Sequence, residues 1–205
     1  MKKLIIITIL GLAIQQSQAQ QNSTGMITAT EREKAIQLLS QTEAGVFDAV
    51  KGLNEAQLNY KPDADKWSVA ECVKHIAAAE TTLWAMVDGS LKKQANPEAR
   101  AGLKFTDDQL IAAVEDRTHK SKTFSALEPA NSPYKTVDEA LAAFKQNREK
   151  LIAFIKTTPD DLRNHVSVLP VGTFDAYQFI LLIGAHSNRH TQQIQEVKMN
   201  TNFPK

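Results

Sequence analysis

The sequence predicts an all-α fold: a four-helix bundle with an extra short helical segment in the middle connection. Three observations carry this. Four long stretches repeat apolar residues at the helical period of about 3.6 residues. Glycine and proline are scarce, 8 and 7 among 205 residues, which argues against a turn-rich β-sandwich. No alternating apolar–polar run of useful length appears, so no strand is expected.

The first residues stand apart from the fold. Lys2 and Lys3 precede an apolar run from Leu4 to Ile14, and Ser17-Gln18-Ala19 has the small-x-small form of a cleavage site. The run is shorter than the roughly 20 residues a membrane span needs, so residues 1–19 read as a signal peptide and the chain as exported, periplasmic or secreted. No cysteine follows the run, which argues against a lipoprotein, and no later stretch is apolar enough to insert in a membrane. Residues 20–27 form a polar linker, 28–199 the bundle and 200–205 a C-terminal tail.

The first helix is expected from about Thr30 to Gly52, with Thr30 and Glu33 at capping-box spacing. Ala35, Leu38, Leu39, Thr42, Val46, Ala49 and Val50 give it one buried face. "LNEAQLNYKPDADK" interrupts the pattern and reads as a connection. The second helix starts after Ser68, an N-cap with Glu71 at the third helical position, and ends near Gly89. Trp67 stands before the cap, placed to staple onto Cys72. Residues 91–132 contain a shorter helix capped by Thr106. The third long helix runs from Thr136 to about Thr157, with Arg148 snorkelling out from its inner side. The last runs from about Phe174 to Met199, capped by Thr173.

Composition narrows the function. With 24 basic and 23 acidic residues the formal charge is +1, and no basic run offers a footprint for nucleic-acid phosphate. Hydrophobic residues make up 42%, enough for a packed core. Cys72 is the single cysteine, so no internal disulfide forms.

The chemistry lies in the histidines. On the last helix Phe179, Ile183, His186, His190, Ile194 and Val197 share one face, and residues four apart sit one above the other. On the second helix His75 lies roughly 60° from Cys72 and roughly 40° from Ala79, flanking the inner face. His119 falls in the polar run "EDRTHKSK" and His165 in the loop "LRNHVSV". Two readings are open: a polar core pair, or a metal site. A buried ring nitrogen without a partner costs about 1–3 kcal/mol, and a shared ion removes that cost. Two imidazoles on adjacent turns, with a third leaning inward, favour a divalent metal on His75, His186 and His190. Zinc suits the donors best; nickel, iron and manganese also accept imidazole.

Ser187 stands where an HExxH peptidase places its general base, so that mechanism is disfavoured. Glu71, one turn before His75, is either the capping partner of Ser68 or a catalytic helper for bound water. Cys72 reads as a small buried hydrophobe.

"KWSVAECVKHIAAAE" resembles the W-S-x-x-E-x-x-x-H-(I/L) signature of the DinB/YfiT-like superfamily, "GAHSNRHTQQI" its C-terminal H-x-x-x-H followed by Gln, and "ALAAFKQNREKLIAFI" its third helix. The resemblance covers about Thr28 to Lys198. It implies a DinB-like four-helix bundle holding a divalent metal, with His75 as the second-helix ligand and His186 and His190 as the C-terminal pair. Members of the family are often dimers, which makes a homodimer the expectation; some are thiol S-transferases or maleylpyruvate isomerase-like enzymes and many have no established activity, and the family name does not imply DNA binding. Export departs from the family pattern, because low-molecular-weight thiols are scarce outside the cytoplasm. Residues 91–132 match poorly and are placed to shape a separate pocket mouth.

The expected function is therefore that of an exported metal-dependent hydrolase or transferase acting on a small molecule of unknown identity. The alternatives are a non-catalytic metal- or small-ligand-binding protein of the cell envelope, and a helical interaction module with structural histidines.

Overall fold

The computed structural model describes residues 25–119 and 123–205. The expected signal peptide (1–19) lies outside the described residues, as do residues 20–24 of the linker. Among the described residues, side chains that accept from an orphan backbone amide start the α-helices. These are α1 (Ala29–Val50), α2 (Glu55–Asn59), α3 (Val69–Leu91), α4 (Asp107–Glu115), α5 (Val137–Thr157) and α6 (Ala176–Lys198). Ser68 with Glu71, Thr106 with Gln109 and Thr136 with Glu139 close reciprocal capping boxes on α3, α4 and α5. The long helices α1, α3, α5 and α6 form the bundle. No helix of the described residues is long and apolar enough to cross a membrane.

The core divides into two apolar clusters. One holds Leu39, Val87, Leu151, Ile155, Phe179 and Ile183. The other holds Val46, Val69, Cys72, Ile76, Phe144 and Ile194. The order of these residues along the chain sets the helix directions. α1 and α6 run from the first cluster to the second, and α3 and α5 run the opposite way. Consecutive α3 and α5 are therefore parallel, and the chain must return about 35 Å between them. That return is the long middle connection, which carries α4 and three short 3-10 turns. α6 packs on α1, α3 and α4, so the two helices that carry the three histidines are neighbours.

Several expectations are corrected. The first cap is Thr28 with Glu31, not Thr30 with Glu33. Both pairs have the required spacing, and Arg163, which binds Glu31, favours the earlier one. The connection after α1 contains the short helix α2, capped by Asn54 and Gln57. A hairpin exists where none was expected: β1 (Val166–Leu169) pairs antiparallel with β2 (Gly172–Asp175). Of its eight residues only Val166, Phe174 and Asp175 are buried, too few to give a strand its alternating pattern. Because β2 occupies residues 172–175, α6 begins later and Asp175, not Thr173, caps it. Arg148 does not snorkel; its side chain is fully buried against Glu80.

Candidate metal centre

His75 faces inward because α3 buries Val69, Cys72, Val73 and Ile76 on the same side. His186 and His190 face α3 from α6, whose buried residues include Ile183, His190, Ile194 and Val197. One ring nitrogen from each histidine lies within 4.8 Å of the other two. His75 and His190 are buried and His186 is half-buried. The ring centroids stand 5.0 Å apart for His75 and His186, 4.4 Å for His75 and His190, and 4.6 Å for His186 and His190.

Hydrogen bonds on the far sides of two rings set their tautomers. His75 Nδ1 donates to the Leu127 carbonyl at 2.8 Å, which leaves Nε2 with its lone pair. His190 Nδ1 donates to Gln193 Oε1 at 2.9 Å, with the same consequence. His75 Nε2 and His186 Nε2 are 3.2 Å apart. Nitrogens about 2.0–2.1 Å from a tetrahedral ion are separated by about 3.3 Å, so this pair already has the right spacing. The donor set fits a divalent cation.

Electrostatics agree. Burial lowers the pKa of all three rings, and each of the C-terminal pair is lowered further by neighbouring imidazoles. His186 is brought down to about 3 by burial, His75 and Arg189. The three rings are therefore neutral at pH 7, the form that binds metal.

Trp67 closes one wall. Its ring lies 4.8 Å from that of His75 and stacks on His190 at 5.7 Å, 16° from parallel. Behind His190, Arg117 forms a two-point pair with Glu196 at 3.0 and 2.7 Å. Arg117 also reaches Gln193 Oε1 at 3.5 Å.

The other expected residues stand apart from this cluster. Glu71 accepts from the Ser68 amide at 2.8 Å through one oxygen and from Lys61 at 3.1 Å through the other. It is not among the groups that converge. Burial pushes the Cys72 thiol far up, so it carries no thiolate at neutral pH. His119 is exposed beside Asp116, and His165 is held by the carbonyls of Asp161 and Lys93.

Some site residues had weak signals or none in the sequence. Gln193 follows His190 by three residues, a helical-neighbour spacing that was readable. Leu127 had no signal, because its backbone carbonyl reaches His75 only through the fold of the crossover.

A cavity of about 340 Å³ opens elsewhere, lined by Glu31, Arg100, Asp107 and Arg163 among others. None of the three histidines lines it, and its arginines and carboxylates pair with one another or with Asp175.

The family profile described as the DinB superfamily matches residues 38–194. The uncharacterized protein YuaE of Bacillus subtilis (strain 168) is 27% identical over 164 residues, spanning 78% of this chain and 95% of YuaE. Among solved structures, the fold resembles YfiT from Bacillus subtilis with a TM-score of 0.60 at 18% identity, over 87% of this chain and 92% of that one. YfiT is described as a probable metal-dependent hydrolase with an unusual four-helix bundle topology.

Proposed function

The chain belongs to the DinB superfamily, and from that premise we propose that it is a metal-dependent hydrolase of a small molecule, with His75, His186 and His190 holding the cation. The observation that carries this reading is the convergence of three neutral imidazoles within 4.8 Å. The description of YfiT as a probable metal-dependent hydrolase supports it. Zinc is the first candidate by donor type. A bound divalent ion lowers the pKa of water and polarises a substrate oxygen.

The chain's own residues do the rest. Leu127 O and Gln193 hold the His75 and His190 rings with Nε2 directed into the cluster. Trp67 shields the His75 and His190 faces from solvent. Three protein ligands leave room for water or substrate, which distinguishes reactive sites from closed structural ones.

A specific observation supports a second reading, a non-catalytic metal- or ligand-binding protein. Among the described residues no carboxylate joins the histidine cluster, and Glu71 is committed to Ser68 and Lys61. A hydrolase therefore has to draw its general base from substrate, solvent or a rearranged Glu71. Screening ester, amide and thioester substrates with zinc-loaded and metal-free protein separates the two. Turnover that requires zinc establishes the hydrolase, and ligand-induced changes without turnover establish the binder.

Export is part of the proposal and rests on the basic, apolar and small-residue order of residues 1–19. N-terminal sequencing of protein recovered from the host envelope or medium tests it, with a new terminus near Gln20 expected.

A further inference from the structure

Between the two apolar clusters lies one polar layer. Each long helix contributes one polar side chain to it: Thr42 from α1, Glu80 from α3, Arg148 from α5 and Ser187 from α6. All four are buried. In sequence each interrupts an apolar face, as Thr42 does between Leu39 and Val46, or Arg148 between Phe144 and Leu151.

Arg148 joins them. Nε and Nη2 donate to the two Glu80 oxygens, each at 2.7 Å. Nη1 donates to the Leu39 carbonyl at 2.7 Å and to Thr42 Oγ1 at 2.8 Å. Nη2 also donates to Ser187 Oγ at 2.8 Å. A guanidinium has five N–H donors in a planar fork, and all five are used. Ser187 is held in turn, since its hydroxyl donates to the Ile183 carbonyl at 3.1 Å.

Stability does not explain this layer, because well-packed apolar residues often replace a buried ion pair at no loss. Apolar packing, however, is non-directional, and helices packed only by it keep freedom to slide and rotate. A ligand set needs its members held within about 0.5 Å. Glu80 lies five residues from His75, an axial distance of about 7.5 Å, and Ser187 is next to His186. Neither arm leaves much room for play.

We infer that Arg148 is a positioning residue, which sets the register of α3 against α6 and so the spacing of His75 from His186 and His190. This rests on the metal-site reading proposed above.

Two substitutions test it. Ser187→Ala and Thr42→Val each remove one acceptor from the same guanidinium, but only Ser187 lies on a helix that carries histidines. Zinc affinity is measured by competition with a chromogenic chelator, and stability by urea unfolding of the metal-free proteins. The expected result is a loss of zinc affinity at least fivefold larger for Ser187→Ala than for Thr42→Val, at similar urea midpoints. Equal zinc affinity in the two variants overturns the inference and leaves the metal site standing. Absence of zinc binding by the wild type overturns the metal-site reading and the inference with it. The double variant Glu80→Leu/Arg148→Met adds a check that does not depend on Ser187. It is expected to bind zinc at least tenfold more weakly while folded, and wild-type affinity in that folded variant also overturns the inference.

Discussion

His186 and His190 occupy adjacent turns of α6, and their neutrality is what suits them to a metal. Replacing His75, His186 or His190 singly with alanine is expected to abolish stoichiometric zinc, read by elemental analysis of purified protein. The same burial makes the metal-free protein sensitive to acid. All three rings have folded pKa values below the ordinary 6.5. The unfolded chain therefore takes up protons that the folded chain refuses. The stability contributed by these neutral rings is fully present above about pH 6.5 and declines as pH falls toward the lowered values. The slope is at most about 1.4 kcal/mol per pH unit for each ring. Urea midpoints of metal-free protein at pH 7.5 and pH 5 measure this, with the lower midpoint expected at pH 5. Glu71 separates two roles by a conservative change. Glu71→Gln keeps an acceptor for the Ser68 amide, so zinc content and urea midpoint are expected to stay close to wild type, while Glu71→Ala costs about 1 kcal/mol. Loss of turnover in Glu71→Gln alone would assign it the catalytic role.

Helices α3, α4 and α5 begin where hydroxyl caps promised, because a capping box is a local device spanning four residues. Among the long helices, the two other starts were not readable. At α1 two Thr-x-x-Glu frames compete within six residues, and the distant Arg163 decides between them. At α6 pairing of β2 with β1 withdraws Thr173 from the cap and leaves it to Asp175. Helix faces carry a further test at Gly184, where α6 approaches α1. A Cβ there would stand 2.8 Å from Leu38 Cγ and 3.0 Å from Leu38 Cδ2. Alanine normally favours a helix over glycine by about 1 kcal/mol. Here overpacking is expected to outweigh that gain, so that Gly184→Ala loses about 1 kcal/mol by urea unfolding. A stabilised variant would show that the α1–α6 contact has slack.

Across the whole molecule, charged residues tie together the ends of elements that the apolar core packs side by side. Arg163, in the loop between α5 and β1, bridges Glu31 at the start of α1, Asp107 at the start of α4 and Asp175 at the start of α6. Asp175 is fully buried, and removing Arg163 leaves it, among the described residues, with Arg100 as its one charged partner, while Glu31 and Asp107 lose their ion pairs with this arginine. Arg163→Met is expected to cost about 3 kcal/mol or more, measured by urea unfolding. Nothing in "LRNHV" announces this, since the partners lie far away in sequence. The sequence by itself determined the helical class, the inward faces of α3 and α6, and the pairing of His186 with His190, because each follows from a repeat of three or four residues along one helix. Only the tertiary structure decided the parallel run of α3 and α5, the burial of Arg148 against Glu80 and the His75 tautomer set by Leu127. It alone brought His75 to 3.2 Å from His186. Most of these depend on contacts between residues distant in the chain, and helical periodicity, which orients a side chain about its own axis, carries no information about which other axis it meets.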